Sequence, residues 1–264
     1  GPVFLAYRDQ AAVDRIANET MKSAPLYDFT APDGIKNTIW RVQNPDQLTA
    51  LFAKIPKAYI ADGHHRAASG SRVAHDRRAA NPAHTGAEEY NWFMAVLFPA
   101  KQLQILPYNR CVVDLNGMSP DLFLEKLRIL FQVTVDANPK PSQPRNVSMY
   151  LGGRWYGLNW PAPLAADPVS SLDVSVLQDR VLHPLLGIDD PRTSKRIEFV
   201  GGIRGTQELE KRVKSGRSAV AFSMFPTTVD QLMAIADAGQ IMPPKSTWFE
   251  PKLKSGLLVH SLDG

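Results

Sequence analysis

Residues 58–66, Ala-Tyr-Ile-Ala-Asp-Gly-His-His-Arg, join a short apolar run to a tight turn and then to a long segment of small and basic residues. The apolar run predicts a strand, and the segment from Arg66 to Ala80 predicts a helix. Gly63 lets the backbone turn tightly and lets a ligand approach it closely. The first N–H groups of a helix lack partners within the helix and carry partial positive charge. The pattern therefore predicts a phosphate site at this turn.

The polar residues of the turn have two interpretations. His64, His65 and Arg66 can add hydrogen-bond donors, and an arginine can hold a phosphate through two parallel bonds. Asp62 can then act as a general base or as a carboxylate beside a metal ion. Alternatively, Asp62 caps the helix and the histidines are ordinary turn residues. The phosphate site is favoured because four functional side chains follow directly after an apolar strand.

Strands and helices alternate along the rest of the chain, which predicts a mixed α+β fold with helices packed on a mixed sheet. Residues 103–113 and 256–262 predict strands, and residues 120–131 predict an amphipathic helix. Two apolar runs on either side of Gly152-Gly153 predict a hairpin.

Residues 138–145 are rich in proline and polar residues and are the best candidate for a linker or long loop. We expect an N-terminal part, 1–136, that carries the phosphate motif. A C-terminal α/β part, 146–264, is expected to close the same cleft, so that both form one compact unit. The chain begins with Gly1-Pro2 rather than methionine, which indicates a piece of a longer protein.

The composition is that of a globular protein, and its mildly basic charge fits an anionic ligand such as a nucleotide. Hydrophobic residues make up 44% of the 264 residues, charged residues 21%, and the net charge is +4. Cys111 is the single cysteine, so no disulfide can form within the chain, and no apolar run approaches the ~20 residues that span a bilayer. We therefore expect a cytoplasmic protein without a membrane partner. Nucleic acid is not expected either, because no helix-turn-helix with base-reading residues is visible.

A second glycine-rich turn covers residues 201–205, Gly-Gly-Ile-Arg-Gly, between a predicted strand and a predicted helix. Glycines after a strand can bring backbone N–H groups near an anion, with Arg204 above it. Gly-Gly turns are also common as plain connections, so both interpretations stay open. Asp189 and Asp190 lie a little upstream and either hold Mg²⁺ or face solvent.

The third polar motif is the segment 242–252 near the end of the chain. Its Pro-Pro pair fixes an extended backbone, and Lys245, Ser246 and Glu250 surround Trp248 and Phe249. Such a segment either closes a ligand site or fills a core. Closure is favoured because loops carry function more often than they fill cores.

These motifs resemble a known bacterial family. Residues 61–68 (Ala-Asp-Gly-His-His-Arg-Ala-Ala), 108–110 (Tyr-Asn-Arg) and 242–252 (Met-Pro-Pro-Lys-Ser-Thr-Trp-Phe-Glu-Pro-Lys) resemble the family called domain of unknown function 1015. The resemblance covers nearly the whole chain, and the family carries no settled activity. Its members usually have a further N-terminal region, which agrees with a piece of a longer protein.

The turn is also similar to the Gly-x-x-Arg phosphate motif of the ParB/sulfiredoxin superfamily, on which Gly63, His65 and Arg66 fall. That superfamily includes CTP-hydrolysing chromosome-partitioning proteins, ATP-using sulfiredoxins and free-serine kinases. The resemblance implies a ParB/sulfiredoxin-like element that opens a helix and holds nucleotide phosphates. The catalytic cysteine of sulfiredoxins directly precedes His-Arg, and here that position is His64, which excludes sulfiredoxin chemistry. The catalytic carboxylate of the serine kinases lies upstream, in a region that does not align with this chain.

The resulting hypothesis is nucleotide-dependent phosphoryl transfer to a small hydroxyl-bearing metabolite, in its sharpest form a free-serine-kinase-like activity, or nucleotide hydrolysis. ATP or ADP is the expected nucleotide, with CTP as an alternative, and Mg²⁺ is expected to arrive with it. One alternative is a ParB-like nucleotide-binding regulatory or DNA-binding module, and another is a metal-dependent hydrolase. A metal held by the protein alone is not expected, since no His-x-x-x-His spacing is present.

The hypothesis assigns roles to eleven residues. The candidate catalytic residues are Asp62, His65 and Glu250. The candidate nucleotide-binding residues are Gly63, His64, Arg66, Gly201, Gly202, Arg204, Lys245 and Ser246.

Overall fold

The computed structural model describes residues 1–162, 167–250, 252–254 and 256–263. The chain forms two units, and the first of them contains two separate stretches of the sequence. Unit 1 contains residues 1–103 and 253–264, and unit 2 contains residues 104–252. The last described residues are tied to unit 1 by the pairs Lys254–Asp33, His260–Glu89 and Asp263–Arg77. Residues 138–145, interpreted from the sequence as a linker, lie inside unit 2. The cleft expected to be shared by two parts of the chain stays a prediction.

Unit 1 combines a three-stranded mixed sheet with a separate hairpin and three helices. Its strands are β1 (Val3–Tyr7), β2 (Tyr27–Thr30), β3 (Lys36–Ile39), β4 (Tyr59–Asp62) and β5 (Ala95–Pro99). Its helices are α1 (Ala11–Thr20), α2 (Pro45–Phe52) and α3 (His64–Ala80). The sheet has the order β4-β1-β5, in which β1 runs antiparallel to β4 and parallel to β5. Strands β2 and β3 form the hairpin.

Strand β1 is the centre of the unit 1 sheet and supplies much of its core. Val3, Phe4, Ala6 and Tyr7 of this strand are buried. No residue of α3 is buried, although α3 is the longest helix of the unit. A helix that buries so little keeps its polar side chains in solvent, and the first turn of α3 is therefore accessible to a ligand.

Unit 2 is built on a six-stranded antiparallel sheet and a separate pair of strands. Its strands are β6 (Gln104–Leu106), β7 (Tyr108–Val112), β8 (Gln132–Val135), β9 (Asn146–Leu151), β10 (Arg154–Asn159), β11 (Ile197–Gly201), β12 (Val220–Met224) and β13 (Trp248–Glu250). The large sheet has the order β11-β7-β12-β9-β10-β8, and β6 pairs with β13. The helices are α4 (Pro120–Leu130), α5 (Asp173–Leu177), α6 (Gly205–Lys214) and α7 (Val229–Asp237). Helix α5 continues as a π-helix over Gln178–Leu182.

Both faces of the six-stranded sheet are covered. Successive side chains of a strand point to opposite faces, and β9 shows the alternation. Met149 packs in one apolar cluster with Phe123 and Leu127 of α4, whereas Tyr150 packs in another with Leu209 of α6. The sheet is therefore a firm frame for the polar residues at the ends of β7 and β11.

The mixed α+β class predicted from the sequence is confirmed. Two strand predictions are wrong. The run 103–113, predicted as one strand, is interrupted at Pro107, which lacks a backbone N–H, and its halves join different sheets. The predicted last strand, 256–262, has no strand conformation in its described residues. Across the described ranges, no helix combines the length and the apolar character that crossing a membrane requires.

Candidate functional site

The turn between β4 and α3 has the geometry that the sequence predicts. Strand β4 ends at Asp62, and Gly63 follows with a φ of 89°, in the left-handed region that glycine adopts without strain. Helix α3 begins at His64, two residues earlier than expected, so both histidines lie in its first turn. No side chain caps this helix, which leaves its first N–H groups for a ligand or for solvent.

The guanidinium of Arg66 folds back over the turn. A Cβ atom placed on Gly63 would lie 2.8 Å from both Nε and Nη2 of Arg66, so only glycine leaves room for this arrangement. Arg66 Nη2 donates to Asp62 Oδ2 at 3.3 Å, and the two side chains are 40% and 54% exposed. Asp62 therefore pairs with Arg66 instead of capping the helix. The result is a cation held over the positive end of α3, with a carboxylate beside it.

Two further arginines of α3 have partners inside unit 1. Arg77 Nη1 donates to Asp263 Oδ1 at 2.7 Å, and Arg78 Nε donates to Asn91 Oδ1 at 2.6 Å. These two side chains hold neighbouring segments of unit 1 to the helix. Part of the basic surface of α3 is therefore used for contacts within unit 1.

In unit 2, the two glycines of the second motif provide space for large neighbours. A Cβ atom on Gly201 would lie 2.4 Å from Cζ3 of Trp248, and one on Gly202 would lie 2.6 Å from Cδ of Pro107. The N–H of Gly202 donates to the carbonyl oxygen of Pro107 at 2.8 Å. Both glycines thus have a packing role that accounts for them without a ligand.

The segment 242–252 lies against these glycines through its aromatic side chain. Trp248 also contacts the Tyr108 ring, with 5.2 Å between the centroids, and donates from Nε1 to Glu250 at 2.5 Å. Lys245 has a φ of 53° and places Nζ 5.6 Å from the centroid of Tyr108. Pro251 lies outside the described residues.

Ser246 and Glu250 are already engaged in holding this segment in shape. The buried Ser246 hydroxyl donates to the carbonyl oxygen of Pro243 at 2.6 Å, which closes a tight turn. Glu250 belongs to β13 and opposes Gln104 of β6. A ligand would therefore have to compete with these contacts for either side chain.

Unit 2 contains a basic cavity of about 500 Å³, lined by Gly201, Arg204, Lys245 and Trp248 together with Arg192 and Arg212. Arg192 pairs with Asp190, and Arg212 pairs with Glu198 and Glu208. Neither Arg204 nor Lys245 forms an ion pair among the described residues, and the charge of Arg204 also acts on the nearby Glu208 carboxylate. Two of the three motifs found in the sequence thus meet in one cavity, whereas Asp62–Arg66 belongs to unit 1.

The sequence analysis assigned no role to Arg110, which is the most unusual charged residue of unit 2. It lies in the middle of β7 and is 4% exposed. Burial lowers its pKa to about 10. In the sequence, Arg110 belongs to the Tyr-Asn-Arg stretch that carries part of the family resemblance, and the polar pair Asn109-Arg110 stands directly before the apolar residues 111–113. Strand residues of this kind are usually apolar when both faces of a sheet are covered.

Metal ligands are not grouped in the part of the chain that the structure describes. No three or more His, Cys, Asp or Glu side chains there could hold a metal ion together. The Asp189 carboxylate lies 2.8 Å from Nδ1 of His183 and its side chain is 82% exposed, whereas Asp190 pairs with Arg192. Cys111 is fully buried, and burial raises the pKa of its thiol to about 12.

Comparison with known proteins identifies one matching family. The model of the family described as "Protein of unknown function (DUF1015)" matches residues 1–175. No curated protein matches the chain.

Several solved structures are similar to this chain at low sequence identity. A free serine kinase mutant in complex with AMP is 12% identical, with a TM-score of 0.43 over 93% of this chain and 83% of that chain. A conserved hypothetical protein from Pyrococcus furiosus is 12% identical, with a TM-score of 0.41 over 93% and 86% of the two chains. SbnI with a C-terminal truncation, from Staphylococcus aureus, is 12% identical, with a TM-score of 0.40 over 98% and 82%.

Proposed function

This chain belongs to the DUF1015 family, and we propose that it transfers a phosphoryl group from a nucleotide to a small hydroxyl-bearing metabolite, with the turn Asp62–Arg66 as its phosphate-binding element. The observation that carries the proposal is the position of Arg66. Its guanidinium lies over Gly63, at the uncapped start of α3. A phosphate at this point meets backbone N–H groups, a helix dipole and a planar cation at once.

The ion pair between Asp62 and Arg66 gives the turn two states. In the free protein the carboxylate accepts from the guanidinium. A phosphate carries more negative charge than a carboxylate and offers more acceptor oxygens, so it displaces Asp62 from Arg66. The released carboxylate is then beside the phosphate and can accept the proton of an attacking hydroxyl. His65, exposed in the first turn of α3, is the second candidate for proton transfer.

The basic cavity of unit 2 is a second candidate site for a phosphate-bearing ligand. Arg204 and Lys245 both line it, and neither side chain forms an ion pair among the described residues. Each would hold phosphate oxygens of ATP or ADP bound in that cavity, and Mg²⁺ would come bound to the nucleotide. Serine is the sharpest candidate for the acceptor, on the resemblance of the Gly-His-His-Arg turn to free-serine kinases. Glu250 is a weaker candidate base than Asp62 because Trp248 already donates to it.

Nucleotide binding is tested by calorimetry with ATP, ADP and CTP, each with and without Mg²⁺. Arg66→Ala is expected to weaken binding by about 1.5–3 kcal/mol, the usual loss for a charge-assisted contact. Arg72→Ala is the matched control, because Arg72 is an exposed arginine of the same helix that lies outside its first turn. Equal affinities of wild type and a folded Arg66→Ala variant would mean that this turn does not hold the phosphates.

The reaction is tested by ³¹P NMR of ATP with Mg²⁺, with and without L-serine and other small alcohols. Transfer predicts a new phosphate ester that appears only with an acceptor. Release of inorganic phosphate without an acceptor would select nucleotide hydrolysis instead. Nucleotide binding without any turnover would favour the regulatory module over the enzyme.

A further inference from the structure

Unit 2 buries a positive charge that no carboxylate neutralises. Arg110 Nη2 donates to the carbonyl oxygen of Lys245 at 3.2 Å, and Nη1 donates to the carbonyl oxygen of Tyr108. Its guanidinium carbon lies 5.6 Å from the centroid of the Phe199 ring. All three partners are uncharged, and no described carboxylate is within ion-pair distance. Burying a charge in this way is unfavourable, and carbonyls and an aromatic ring offset it only in part.

Arg110 lines a cavity of about 640 Å³ that lies entirely within unit 2, which we call the Arg110 cavity. Phe199, Met242, Pro243 and Pro244 contribute apolar walls. This volume and this lining are typical of small-molecule sites, in which one or two polar groups fix the orientation of the ligand. A buried cation on the wall of such a cavity is the expected partner of an anionic ligand group.

Elsewhere on the lining of the Arg110 cavity, negatively charged side chains predominate. Asp190 and Arg192 neutralise each other, and Asp189 pairs with His183. Asp179 and Asp167 have no cationic partner in the described part of the chain. The Asp167 carboxylate accepts from uncharged donors, the Gln240 amide and the backbone N–H groups of Ser170 and Val169. The Arg110 cavity thus offers one buried cation and two carboxylates without counter-ions.

This distribution differs from that of the basic cavity, which shares Arg192 and Phe199 with it. Cations without partners line the basic cavity, whereas carboxylates without partners line the Arg110 cavity. A polyanion such as a nucleotide fits the first and is repelled by the second. A ligand with one anionic group and one cationic group fits the second.

We propose that the Arg110 cavity binds a small zwitterion of the amino-acid type, with its carboxylate on Arg110 and its ammonium group toward Asp179 and Asp167. The proposal does not rest on the phosphate site of unit 1, and a protein without nucleotide affinity could still have this site. An arginine holds a carboxylate through two parallel bonds, which gives the ligand a fixed orientation.

The binding test uses the nucleotide-free protein and the twenty common L-amino acids, measured by thermal shift and then by calorimetry. At least one of them is expected to raise the melting temperature, because a ligand that binds only the folded state stabilises it by mass action. Two analogues of the best-binding amino acid then test its two charged groups separately. The 2-hydroxy acid lacks the amine, and the amino alcohol lacks the carboxylate. The 2-hydroxy acid is expected to bind about tenfold more weakly, and the amino alcohol not to bind.

Two variants connect the affinity to the residues. Arg110→Met, which keeps the bulk and removes the charge, is expected to weaken amino-acid binding at least about tenfold. Asp179→Asn is expected to reduce the affinity for the amino acid to that for the 2-hydroxy acid and to leave the latter unchanged. Asp179 is exposed, so this variant keeps the test valid if Arg110→Met does not fold. Asp121→Asn, on the exposed start of α4, is the matched control.

Three results would overturn the proposal. The first is that no amino acid shifts the melting temperature of the wild type. The second is that Arg110→Met, when folded, binds as the wild type does. The third is equal affinity for the amino acid and its 2-hydroxy acid, which would mean that the cavity binds the carboxylate and does not recognise the ammonium group.

Discussion

Replacing Asp173 by Asn is expected to stabilise the protein at neutral pH and to lose this effect in acid. Asp173 lies in the first turn of α5. Its carboxylate accepts the backbone N–H of Arg145 at 2.9 and 3.1 Å. Burial nevertheless dominates and raises the pKa of this carboxyl from 3.8 to about 6. The folded protein at neutral pH therefore holds a charge in a place that favours the neutral form.

The size and sign of the effect follow from this pKa. Below about pH 3 this carboxyl is protonated in both the folded and the unfolded chain, and it contributes nothing. Between about pH 4 and pH 6 the folded state keeps a proton that the unfolded state releases, so the free energy of unfolding falls as the pH rises. Above pH 6 the loss is complete, and at about 1.4 kcal/mol per pKa unit it reaches at most about 3 kcal/mol. Asparagine resembles the protonated carboxyl and avoids the loss.

The assay is urea denaturation of wild type and Asp173→Asn at pH 7.5 and pH 4.0. The variant is expected to have a higher free energy of unfolding at pH 7.5 and one within about 0.5 kcal/mol of the wild type's at pH 4.0. Asp121→Asn is the control: Asp121 is exposed in the first turn of α4, and losing its charge there should destabilise slightly. A variant less stable than the wild type at pH 7.5, or equally stabilised at both pH values, would refute the reasoning.

Three further predictions concern glycines and metal. Gly63→Ala should destabilise by about 1–2 kcal/mol because of the left-handed φ of 89°, and should also weaken phosphate binding by displacing Arg66; calorimetry separates the two effects. Gly70→Ala, in the interior of α3, should stabilise by about 0.5–1 kcal/mol in urea denaturation, since its Cβ would lie at an ordinary 3.7 Å from Phe93; a loss of stability would contradict the described packing. EDTA should leave the melting temperature of the ligand-free protein unchanged, because no structural metal is proposed, and a large fall would point to one.

Elements whose conformation is determined by residues close together in the sequence could be predicted. Helix α4 was expected over 120–131, and it runs from Pro120 to Leu130, with Ser119 accepting from the N–H of Leu122 as its cap. The Gly152-Gly153 hairpin between β9 and β10 was expected for the same reason. The hydrophobic pattern, the capping residue or the turn residues of such an element lie within a few positions of one another, so they are sufficient to predict it.

Long-range features could not be predicted in this way. Strand β6 pairs with β13, which lies at the other end of unit 2, and no local pattern specifies that pairing. The buried charge of Arg110 was missed because an arginine in a strand is usually at the surface. At the turn after β4 the backbone geometry was local and could be predicted, whereas its role in holding phosphate depends on a ligand and stays a prediction.

The double passage of the chain through unit 1 has a consequence for protein synthesis. Residues 1–103 leave the ribosome before unit 2, but the contacts of Lys254, His260 and Asp263 with unit 1 form only after the whole of unit 2 has emerged. Translation of unit 2 takes roughly 7–30 s at about 5–20 residues per second. Unit 2 can close on itself as soon as β13 has emerged, since β6 and β13 join its two ends. Unit 1, by contrast, stays incomplete until residues 253–264 have been synthesised, and we expect it to be the part of the chain on which chaperones act.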